Sequence, residues 1–241
     1  MLLPRHPAFE SAREIVEVYE DIYEAHTGVW VDQGRSRDLI DYFARLVSAT
    51  RPRRVLEIGC GEGVLLAEIR AEEKLGTDLS VRALELTRER TRSSLCISLA
   101  ERLPYPDGYF DTVASVGVME HFLDDRAACG EVFRVLAPGG RYVTLLHVHL
   151  TLAETLRQKI SEYVFPRPRP IALVRWLYNK VAKPIRQPVQ NQYTVESARA
   201  CLAGAGLNVL ETINTASTPD APFIGPHVTV FVCRKPDHVG A

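Results

Sequence analysis

The amino-acid sequence predicts an α/β fold with a doubly wound, mainly parallel sheet. Short apolar segments with the character of buried strands alternate with segments whose apolar residues recur at the 3.6-residue spacing of a helix. This alternation is typical of β-α-β units, in which consecutive strands lie parallel. The length of 241 residues suits one domain with an elaboration, or two small ones. Seven segments are predicted strands: 53–58, 74–79, 94–99, 110–118, 141–148, the end of 194–211, and 227–235.

The predicted helices separate these strands. The first two precede the sheet, and Ser36 is the predicted N-cap of the second. Further along, Ser80 caps one helix and the Pro-Gly-Gly at 138–140 stops another. The alternation is interrupted at 151–190, where two helical patterns flank a Pro-Arg-Pro-Arg-Pro run. The predicted helices are 10–25, 36–49, 61–72, 80–91, 125–137, 151–164, 171–182 and the first part of 194–211.

Composition and charge restrict the class of protein. The chain is 46% hydrophobic and 24% charged, as expected of a soluble globular protein with a sizeable core, and its net charge of −1 does not suggest a nucleic-acid binder. Its five cysteines are widely spaced without a C-x-x-C pair, which favours reduced thiols in a cytoplasm over a disulfide framework or a zinc site. The first ten residues lack the apolar core of a signal peptide, and no stretch approaches the ~20 apolar residues of a membrane span.

The most informative stretch is RRVLEIGCGEG at 53–63, which ends the first strand of the sheet in three alternating glycines. In open α/β sheets, ligands bind beyond the carboxyl ends of the strands. Glycine permits positive φ and close approach of a ligand, and the following helix points free N–H groups towards that ligand. Asp78 ends the next strand, 19 positions after Gly59, where a carboxylate can accept both hydroxyls of a ribose. The alternative is a tight strand-to-helix turn that binds nothing.

Two details separate this turn from a dinucleotide-binding turn. Its third glycine comes one position early, and Val64 stands where the dinucleotide fingerprint has glycine. Glu57, inside the end of the strand, would face a pyrophosphate unfavourably, whereas it suits a cationic ligand or the ammonium group of an amino acid. The local chemistry therefore favours a ligand with a ribose and no phosphate, and it disfavours a nicotinamide oxidoreductase.

With these motifs the chain resembles the class I S-adenosylmethionine-dependent methyltransferases, in the small-molecule group that includes the ubiquinone, menaquinone and sugar methyltransferases. The resemblance covers about residues 50–148 and is weaker in 193–211 and 227–235. It implies a Rossmann-like, seven-stranded sheet with the last strand antiparallel, helices on both faces, and S-adenosylmethionine as the cofactor. The matching motifs, in order, are VLEIGCGEG (55–63), GTDLS (76–80), AERLPYPDGYFDTVASVGVMEHF (100–122) and FRVLAPGG (133–140).

The resemblance also assigns roles to individual residues. The glycine turn would line the methionine part of the cofactor, and Glu57 would support the turn and the ammonium end. Asp78 would hold the ribose, and Leu79 would pack on the adenine. Many relatives carry an aspartate that binds the adenine amine, but Leu99 occupies that position, so adenine recognition would rely on backbone or another side chain. The implied cofactor residues are Glu57, Gly59, Cys60, Gly61, Gly63, Asp78, Leu79, Ala100, Glu101 and Val116.

His121 is the candidate catalytic residue. Methyl transfer from a sulfonium requires alignment of nucleophile, carbon and sulfur, and a hydroxyl or amine nucleophile can also need a base. His121 follows the fourth strand, beside the expected position of the methyl group, and histidine is the commonest proton acceptor near neutral pH. A structural role for Glu120 and His121 is the alternative. Some methyltransferases hold a metal with such a pair and a nearby glutamate, but Gly117 fills that position, so no metal is expected.

Four further residues are candidate substrate contacts. His147 and His149 follow the fifth strand at two-residue spacing, which puts both on one face of an extended segment. They either line the substrate cleft or are solvated. Tyr23 and Trp30, together with Tyr19, belong to the N-terminal helical region, which often closes over the cofactor in the family that the chain resembles. Ordinary core packing is the alternative for these three aromatic residues.

Residues 151–190 are strongly basic. They carry eight basic and two acidic residues, a net charge of +6 against −7 for the rest of the chain. Relatives place their substrate cover at this position. A basic, aromatic cover can recognise an anionic acceptor, lie on an anionic membrane surface, or be a solvated face over an apolar underside. Contact with RNA is disfavoured because no aromatic RNA-binding signature accompanies the segment. The interleaved aromatic residues are Tyr163, Phe165, Trp176 and Tyr178.

The sequence therefore predicts a cytoplasmic, S-adenosylmethionine-dependent methyltransferase that acts on an oxygen or nitrogen of a small-molecule acceptor. The alternatives are a C-methyltransferase of a quinone or lipid-like substrate at the membrane surface, and a catalytically silent cofactor-binding or partner subunit. No oligomeric state is predicted. The expected domains are a helical lid at 1–50, the cofactor-binding core at 51–150, a substrate-covering insert at 151–190 and the completion of the sheet at 191–241.

Overall fold

A seven-stranded sheet forms the centre of the protein. The computed structural model describes residues 12–25, 37–149, 190–214 and 227–237. The strands are β1 (Arg54–Ile58), β2 (Glu73–Asp78), β3 (Ser94–Ile97), β4 (Phe110–Val116), β5 (Leu136–His147), β6 (Asn208–Asn214) and β7 (Val228–Arg234). Their order in the sheet is β3-β2-β1-β4-β5-β7-β6. The pairs from β3 through β5 are parallel, whereas β7 runs antiparallel to both β5 and β6. The predicted doubly wound sheet with an antiparallel last strand is confirmed.

The central strands are apolar on both faces because helices cover both faces. The helices are α1 (Ala12–Ala25), α2 (Arg37–Ser48), α3 (Val64–Glu68), α4 (Val81–Arg90), a 3-10 turn (Met119–His121), α5 (Asp125–Val135) and α6 (Val195–Gly204). One core layer packs residues of α2 and α3, such as Phe43 and Leu66, against β1, β4, β5 and β7. The other packs residues of α5 and α6, such as Val132 and Leu202, against the opposite face.

Two helices are shorter than the sequence pattern predicts. The helix expected at 61–72 ends at Glu68, because Ile69 is already extended with φ −63° and ψ 136°. The helix expected to reach residue 137 ends at Val135, and β5 begins at once with Leu136. The Pro-Gly-Gly therefore lies inside β5, where a register shift opposite the start of β4 accommodates the extra residues. The spacing of apolar residues did not reveal where either helix ends, because a short apolar run fits a helix and a strand equally well.

Some sequence predictions lie outside the described residues. These are Trp30, the helices at 151–164 and 171–182, and the basic segment apart from residue 190. The domain boundaries that depend on these residues stay predictions. Among the helices that the structure describes, none is long and apolar enough to cross a membrane.

A buried lysine joins the end of the sheet to α5. Lys235, directly after β7, is only 8% exposed. Its Nζ donates hydrogen bonds of 2.7 Å to the carbonyl oxygens of Phe133 and Leu136 and lies 4.5 Å from the centroid of the Phe133 ring. The last carbonyls of a helix have no intrahelical donors, so this ammonium group satisfies acceptors that burial would otherwise leave unpaired.

We expect Lys235→Met to lower the free energy of unfolding by about 1.5–3 kcal/mol, the usual contribution of hydrogen bonds to a charged group. Methionine keeps the apolar stem and removes only the ammonium group. Urea denaturation followed by circular dichroism measures the change, with Arg88→Met on the exposed face of α4 as the matched loss of one cation. Equal stability of the two variants would show that water replaces the ammonium group without cost.

Candidate functional site

A cavity of about 270 Å³ lies beyond the carboxyl ends of β1, β2 and β4. The strand order reverses at this point, because β2 and β3 lie on one side of β1 and β4 lies on the other. Open α/β sheets bind ligands at such a switch point. The cavity wall combines the glycine turn after β1, the ends of β2 and β3, the segment after β4, and residues from α1 and α2.

The glycine turn forms the floor of the cavity. Gly59 and Gly61 adopt φ values of 66° and 53°, in the left-handed region that favours glycine. A Cβ at position 59 would lie 2.5 Å from Cγ2 of Val118, so only glycine allows the turn to approach the segment after β4 this closely. The N–H of Gly61 donates a 2.8 Å hydrogen bond to Oδ2 of Asp78. The turn and the end of β2 are therefore one unit.

Asp78 is held in place by backbone donors on both carboxylate oxygens. Oδ2 accepts the N–H of Gly61, and Oδ1 accepts the N–H of Ser80 at 3.1 Å. The side chain is 8% exposed and lines the cavity. Burial raises the pKa of this carboxyl, although the hydrogen bonds from Ser80 and Gly61 oppose the rise. Each carboxylate oxygen can accept more than one hydrogen bond, so the fixed Asp78 can also accept the hydroxyls of a diol in the cavity.

The turn is also held from behind by α4. Oγ1 of Thr87 donates to the carbonyl oxygen of Gly61 at 2.6 Å, and Nε of Arg90 donates to the carbonyl oxygen of Glu62 at 2.9 Å. Gly63 faces this side of the turn. Its φ is 71°, and a Cβ there would lie 2.7 Å from Cγ2 of Thr87. The structure thus places Gly63 against α4, between the wall residues Glu62 and Val64, and its role as a cofactor contact stays a prediction.

The other predicted cofactor residues lie in the cavity wall. Glu57 is buried at the end of β1, beneath the glycine turn. Burial, followed by the charge of Asp78, raises the pKa of the Cys60 thiol, so this side chain is a neutral part of the wall. Leu79, Leu99 and Ala100 make the wall beside Asp78 apolar, which suits the faces of a flat ring. Val116 and Glu101 complete the set, which comprises Glu57, Gly59, Cys60, Gly61, Asp78, Leu79, Ala100, Glu101 and Val116.

Glu101 connects two loops of the wall. Its Oε1 accepts the N–H groups of Leu123 and Asp124 at 2.7 and 3.2 Å. The same segment is joined to β2 by a 3.1 Å hydrogen bond from the N–H of Ser98 to the carbonyl oxygen of Asp78. The residues next to the expected adenine position are therefore fixed on both sides.

Helix α1 covers one side of the cavity. Ile15, Tyr19 and Tyr23 line it from this helix. The ring of Tyr19 meets the ring of His121 edge-on at a centroid distance of 6.5 Å. Burial raises the pKa of the Tyr19 phenol, and the charges of Asp78 and Glu120 raise it further, so the hydroxyl stays protonated. Tyr19 and Tyr23 thus lie in the cavity wall, and their closure over a cofactor stays a prediction.

His121 lies in the cavity wall, three residues after Val118, which packs against Gly59. It ends the 3-10 turn that follows β4, and its N–H donates to the carbonyl oxygen of Val118 at 2.8 Å. Buried Met119 anchors the same turn in the core. The side chain of His121 is half-buried, so it is accessible from the cavity.

The neighbouring Glu120 points away from this wall and fixes the turn to β5. It is 4% exposed, and its Oε1 accepts the N–H of His147 at 2.7 Å and lies 3.0 Å from Nδ1 of the same residue. Burial alone would raise the pKa of the Glu120 carboxyl, but the hydrogen bonds from His147 outweigh it and lower the pKa. Asn191 completes the arrangement, since its N–H donates to the carbonyl oxygen of Glu120 at 2.6 Å and its Nδ2 to that of Phe122 at 2.7 Å.

The two histidines predicted as substrate contacts lie outside the cavity wall that the described residues form, and their role stays a prediction. His147 binds Glu120 and lies outside the cavity wall formed by the described residues. His149 is exposed, also outside that wall, and its N–H donates to the carbonyl oxygen of Tyr193 at 2.7 Å. The two-residue spacing put both on one face, and both side chains are exposed on either side of buried Val148.

Glu20 and Asn191 have positioning roles that no sequence motif indicates. Glu20 on α1 accepts hydrogen bonds from the first turn of α4, and Asn191 holds the turn that carries His121. Neither residue lies in a motif, and each acts on a segment at least 60 positions away, so no local pattern indicates it. Within the described ranges, no group of three or more histidine, cysteine or acidic residues is arranged to hold a metal ion.

The charge and the chemistry of the cavity wall suit S-adenosylmethionine. Four carboxylates contribute to its wall, whereas its two guanidinium groups, those of Arg37 and Arg90, are engaged with acidic partners. The excess negative charge favours a cationic sulfonium and an ammonium group. Asp78 offers a fixed diol acceptor, and the apolar stretch beside it offers a surface for a base. The acidic wall residues are Glu57, Glu62, Asp78 and Glu101.

The sequence matches known methyltransferases over the part that builds this cavity. Residues 56–144 match the model of a methyltransferase domain family. The chain is 37% identical to a demethylmenaquinone methyltransferase of Deinococcus radiodurans over 106 residues. This match covers 40% of this chain and 44% of that protein. It is 29% identical over 176 residues to a ubiquinone biosynthesis O-methyltransferase of Alkalilimnicola ehrlichii, covering 66% and 68% of the two chains. The chain thus spans less than half the length of the first of these relatives.

The fold also matches solved methyltransferase structures. A chain of the complex between the Haloferax volcanii Trm112 methyltransferase activator and a methyltransferase superposes with a TM-score of 0.65 at 15% identity, covering 96% of this chain and 100% of that one. A likeness at this identity concerns the fold. Residues 56–144 are therefore similar to a methyltransferase domain, and the described residues have the fold of solved methyltransferase structures.

Proposed function

We propose that this protein transfers the methyl group of S-adenosylmethionine to an oxygen or nitrogen of a small-molecule acceptor. The observation that supports this most directly is the placement of the fixed Asp78 and the accessible His121 in the wall of one cavity. The first can hold the cofactor, and the second can serve the acceptor. When bound, the cofactor supplies an activated methyl group on a positively charged sulfur.

The cofactor-binding residues supply positioning. Asp78 would accept the ribose hydroxyls, the backbone of Gly59 and Gly61 would hold the methionine part, and Glu57 would attract the ammonium end. Since the hydrogen bonds between Asp78 and the turn exist within the protein itself, little rearrangement is needed when the ligand enters. Preorganisation of this kind lowers the entropic cost of aligning the reacting groups.

His121 acts as the general base of the proposed reaction. Its ring lies in the wall where the acceptor would meet the methyl group, and the edge contact with Tyr19 restricts its orientation. A positioned base takes the proton from a hydroxyl or amine as the nucleophile attacks. Glu120 and His147 keep the turn that carries His121 in place, and they do not contact the cavity themselves.

The acceptor side is proposed to involve Tyr23 on α1, Trp30 and the basic segment 151–190, as the sequence suggests. The name of the Deinococcus relative supports a quinone-type acceptor. The name of the Alkalilimnicola relative supports an oxygen acceptor. A C-methyltransferase acting on a quinone at a membrane surface is the second candidate, favoured by the positive charge of 151–190. A partner-dependent or silent form is the third, since the Haloferax structure is a complex with an activator.

We expect Asp78→Asn to weaken binding of S-adenosylhomocysteine roughly 10- to 150-fold, equivalent to about 1.5–3 kcal/mol, because it removes a charged acceptor of hydrogen bonds. Isothermal titration calorimetry measures the affinity. Glu89→Gln, on the exposed face of α4, is the matched loss of one carboxylate.

Wild-type affinity in Asp78→Asn would contradict the assignment of the ribose site. Tight binding of NADH to the unmodified protein would instead favour an oxidoreductase. A thermal melt of each variant separates loss of the ligand contact from loss of the glycine turn, which also depends on Asp78.

We expect His121→Gln to lower turnover about 10²- to 10⁴-fold with S-adenosylhomocysteine affinity unchanged, because a positioned base acts on the chemical step alone. Screening phenols, hydroquinones and amines for methyl transfer first identifies an acceptor. His227→Gln, in the exposed turn before β7, is the histidine control. If His121→Gln retains wild-type turnover, alignment alone suffices and His121 has a structural role.

We expect the double variant Arg175→Gln and Lys180→Gln to weaken acceptor use, or binding to anionic vesicles, without a change in cofactor affinity. The charge of 151–190 is the reason, so the effect should shrink between ~0.01 M and ~1 M salt, as the screening length falls from about 30 Å to about 3 Å. Co-sedimentation with phosphatidylserine vesicles and steady-state kinetics measure it. Arg88→Gln with Arg92→Gln removes two exposed cations elsewhere. Identical behaviour of the two double variants would make the basic segment an ordinary solvated surface.

A further inference from the structure

Helix α1 is joined to the cofactor cavity through one glutamate. Glu20 accepts hydrogen bonds from three donors at the first turn of α4. Its Oε2 accepts the hydroxyl of Ser80 at 2.8 Å and the N–H of Arg82 at 3.1 Å, and its Oε1 accepts the N–H of Val81 at 2.5 Å. These donors lie 60 to 62 positions along the chain from Glu20, so the contact is purely tertiary.

The contact has a clear physical basis. The first N–H groups of a helix have no intrahelical acceptors, and the helix dipole favours a negative charge at this end. Ser80 caps α4 by accepting the N–H of Ala83 at 3.0 Å, and its hydroxyl hydrogen remains to be donated to Glu20. Ser80 is fully buried, so its hydroxyl has little access to water as a substitute acceptor.

The same residues lead directly to the cofactor site. The N–H of Ser80 donates to Oδ1 of Asp78, and Oδ2 of Asp78 accepts the N–H of Gly61. A continuous run of hydrogen bonds therefore connects α1, through Glu20 and Ser80, to the proposed ribose acceptor and the glycine turn. On the cavity side, α1 contributes Ile15, Tyr19 and Tyr23 to the wall.

We propose that Glu20 is a positioning residue that latches α1 over the bound cofactor. This inference rests on the proposed cofactor site. The latch holds the apolar and aromatic residues of α1 against the cavity while its hydrogen bonds orient Ser80 beside Asp78. Because coupling between two equilibria is reciprocal, a closed α1 tightens cofactor binding and a bound cofactor keeps α1 closed.

A purely structural cap makes a different prediction. If Glu20 only stabilises α4, its removal lowers the melting temperature and leaves the response of α1 to the ligand unchanged. If Glu20 is a latch, its removal also changes the response of α1 to the ligand. Hydrogen exchange of the amides of 12–25, measured with and without S-adenosylhomocysteine, distinguishes the two roles.

The test compares the full-length wild-type protein with Glu20→Ala, Glu20→Gln and Glu24→Gln. Glu24 lies one turn further along α1 with an exposed side chain and is the control for charge. We expect Glu20→Ala to bind S-adenosylhomocysteine roughly tenfold more weakly or worse, since charge-assisted hydrogen bonds are lost. Its 12–25 amides should exchange faster and gain little protection from the ligand. Glu20→Gln keeps one acceptor oxygen and should be intermediate, whereas Glu24→Gln should match the wild type.

The outcomes separate this inference from the proposed function. If the wild-type protein does not bind S-adenosylhomocysteine, the proposed cofactor site fails, and exchange of 12–25 in the ligand-free variants still reports whether Glu20 holds α1. If the wild type binds and Glu20→Ala binds equally well with the same ligand-induced protection, the latch is wrong. Should Glu20→Ala fail to fold, Glu20→Gln tests the latch instead. An affinity between those of the wild type and a roughly tenfold weaker binder supports the latch, and wild-type affinity contradicts it.

Discussion

The site depends on the hydrogen bonds that the buried carboxylate of Asp78 accepts. Its two oxygens accept N–H groups from the turn after β1 and from the start of α4, so three segments meet at one side chain. A charge with little solvent is stable only where hydrogen bonds compensate for its lost hydration. The protein supplies these bonds from its own backbone, and the cavity is therefore shaped before any ligand enters.

The rest of the cavity is arranged around this centre in two parts. On the cofactor side, Thr87 and Arg90 support the glycine turn from behind, and Glu101 connects the loops after β3 and β4. On the opposite side, Glu120 ties the turn of His121 to β5. Thr87 and Glu120 hold loops from outside the cavity wall, whereas Asp78, Arg90 and Glu101 hold loops and also line the cavity.

This division explains why the fold and the relatives define the cofactor more closely than the acceptor. The cofactor part is built from the continuous sheet and its turns, and it coincides with the domain match at 56–144. Methyl transfer demands mainly alignment from the protein, so no obligatory acceptor residue is imposed on the rest of the chain. Relatives that match this part of the chain carry names with different acceptors.

The sequence by itself determined the sheet, the glycine turn and Asp78, because these depend on local periodicity and on spacings of a few residues. VLEIGCGEG and GTDLS lie at the ends of adjacent parallel strands, so their meeting follows from the topology. Only the tertiary structure decided that Gly63 packs on Thr87, that His147 binds Glu120, and that Glu20 reaches α4. These contacts join residues separated by about 24 to 62 positions. They depend on the direction of each side chain in the folded protein, and no local sequence pattern encodes that direction.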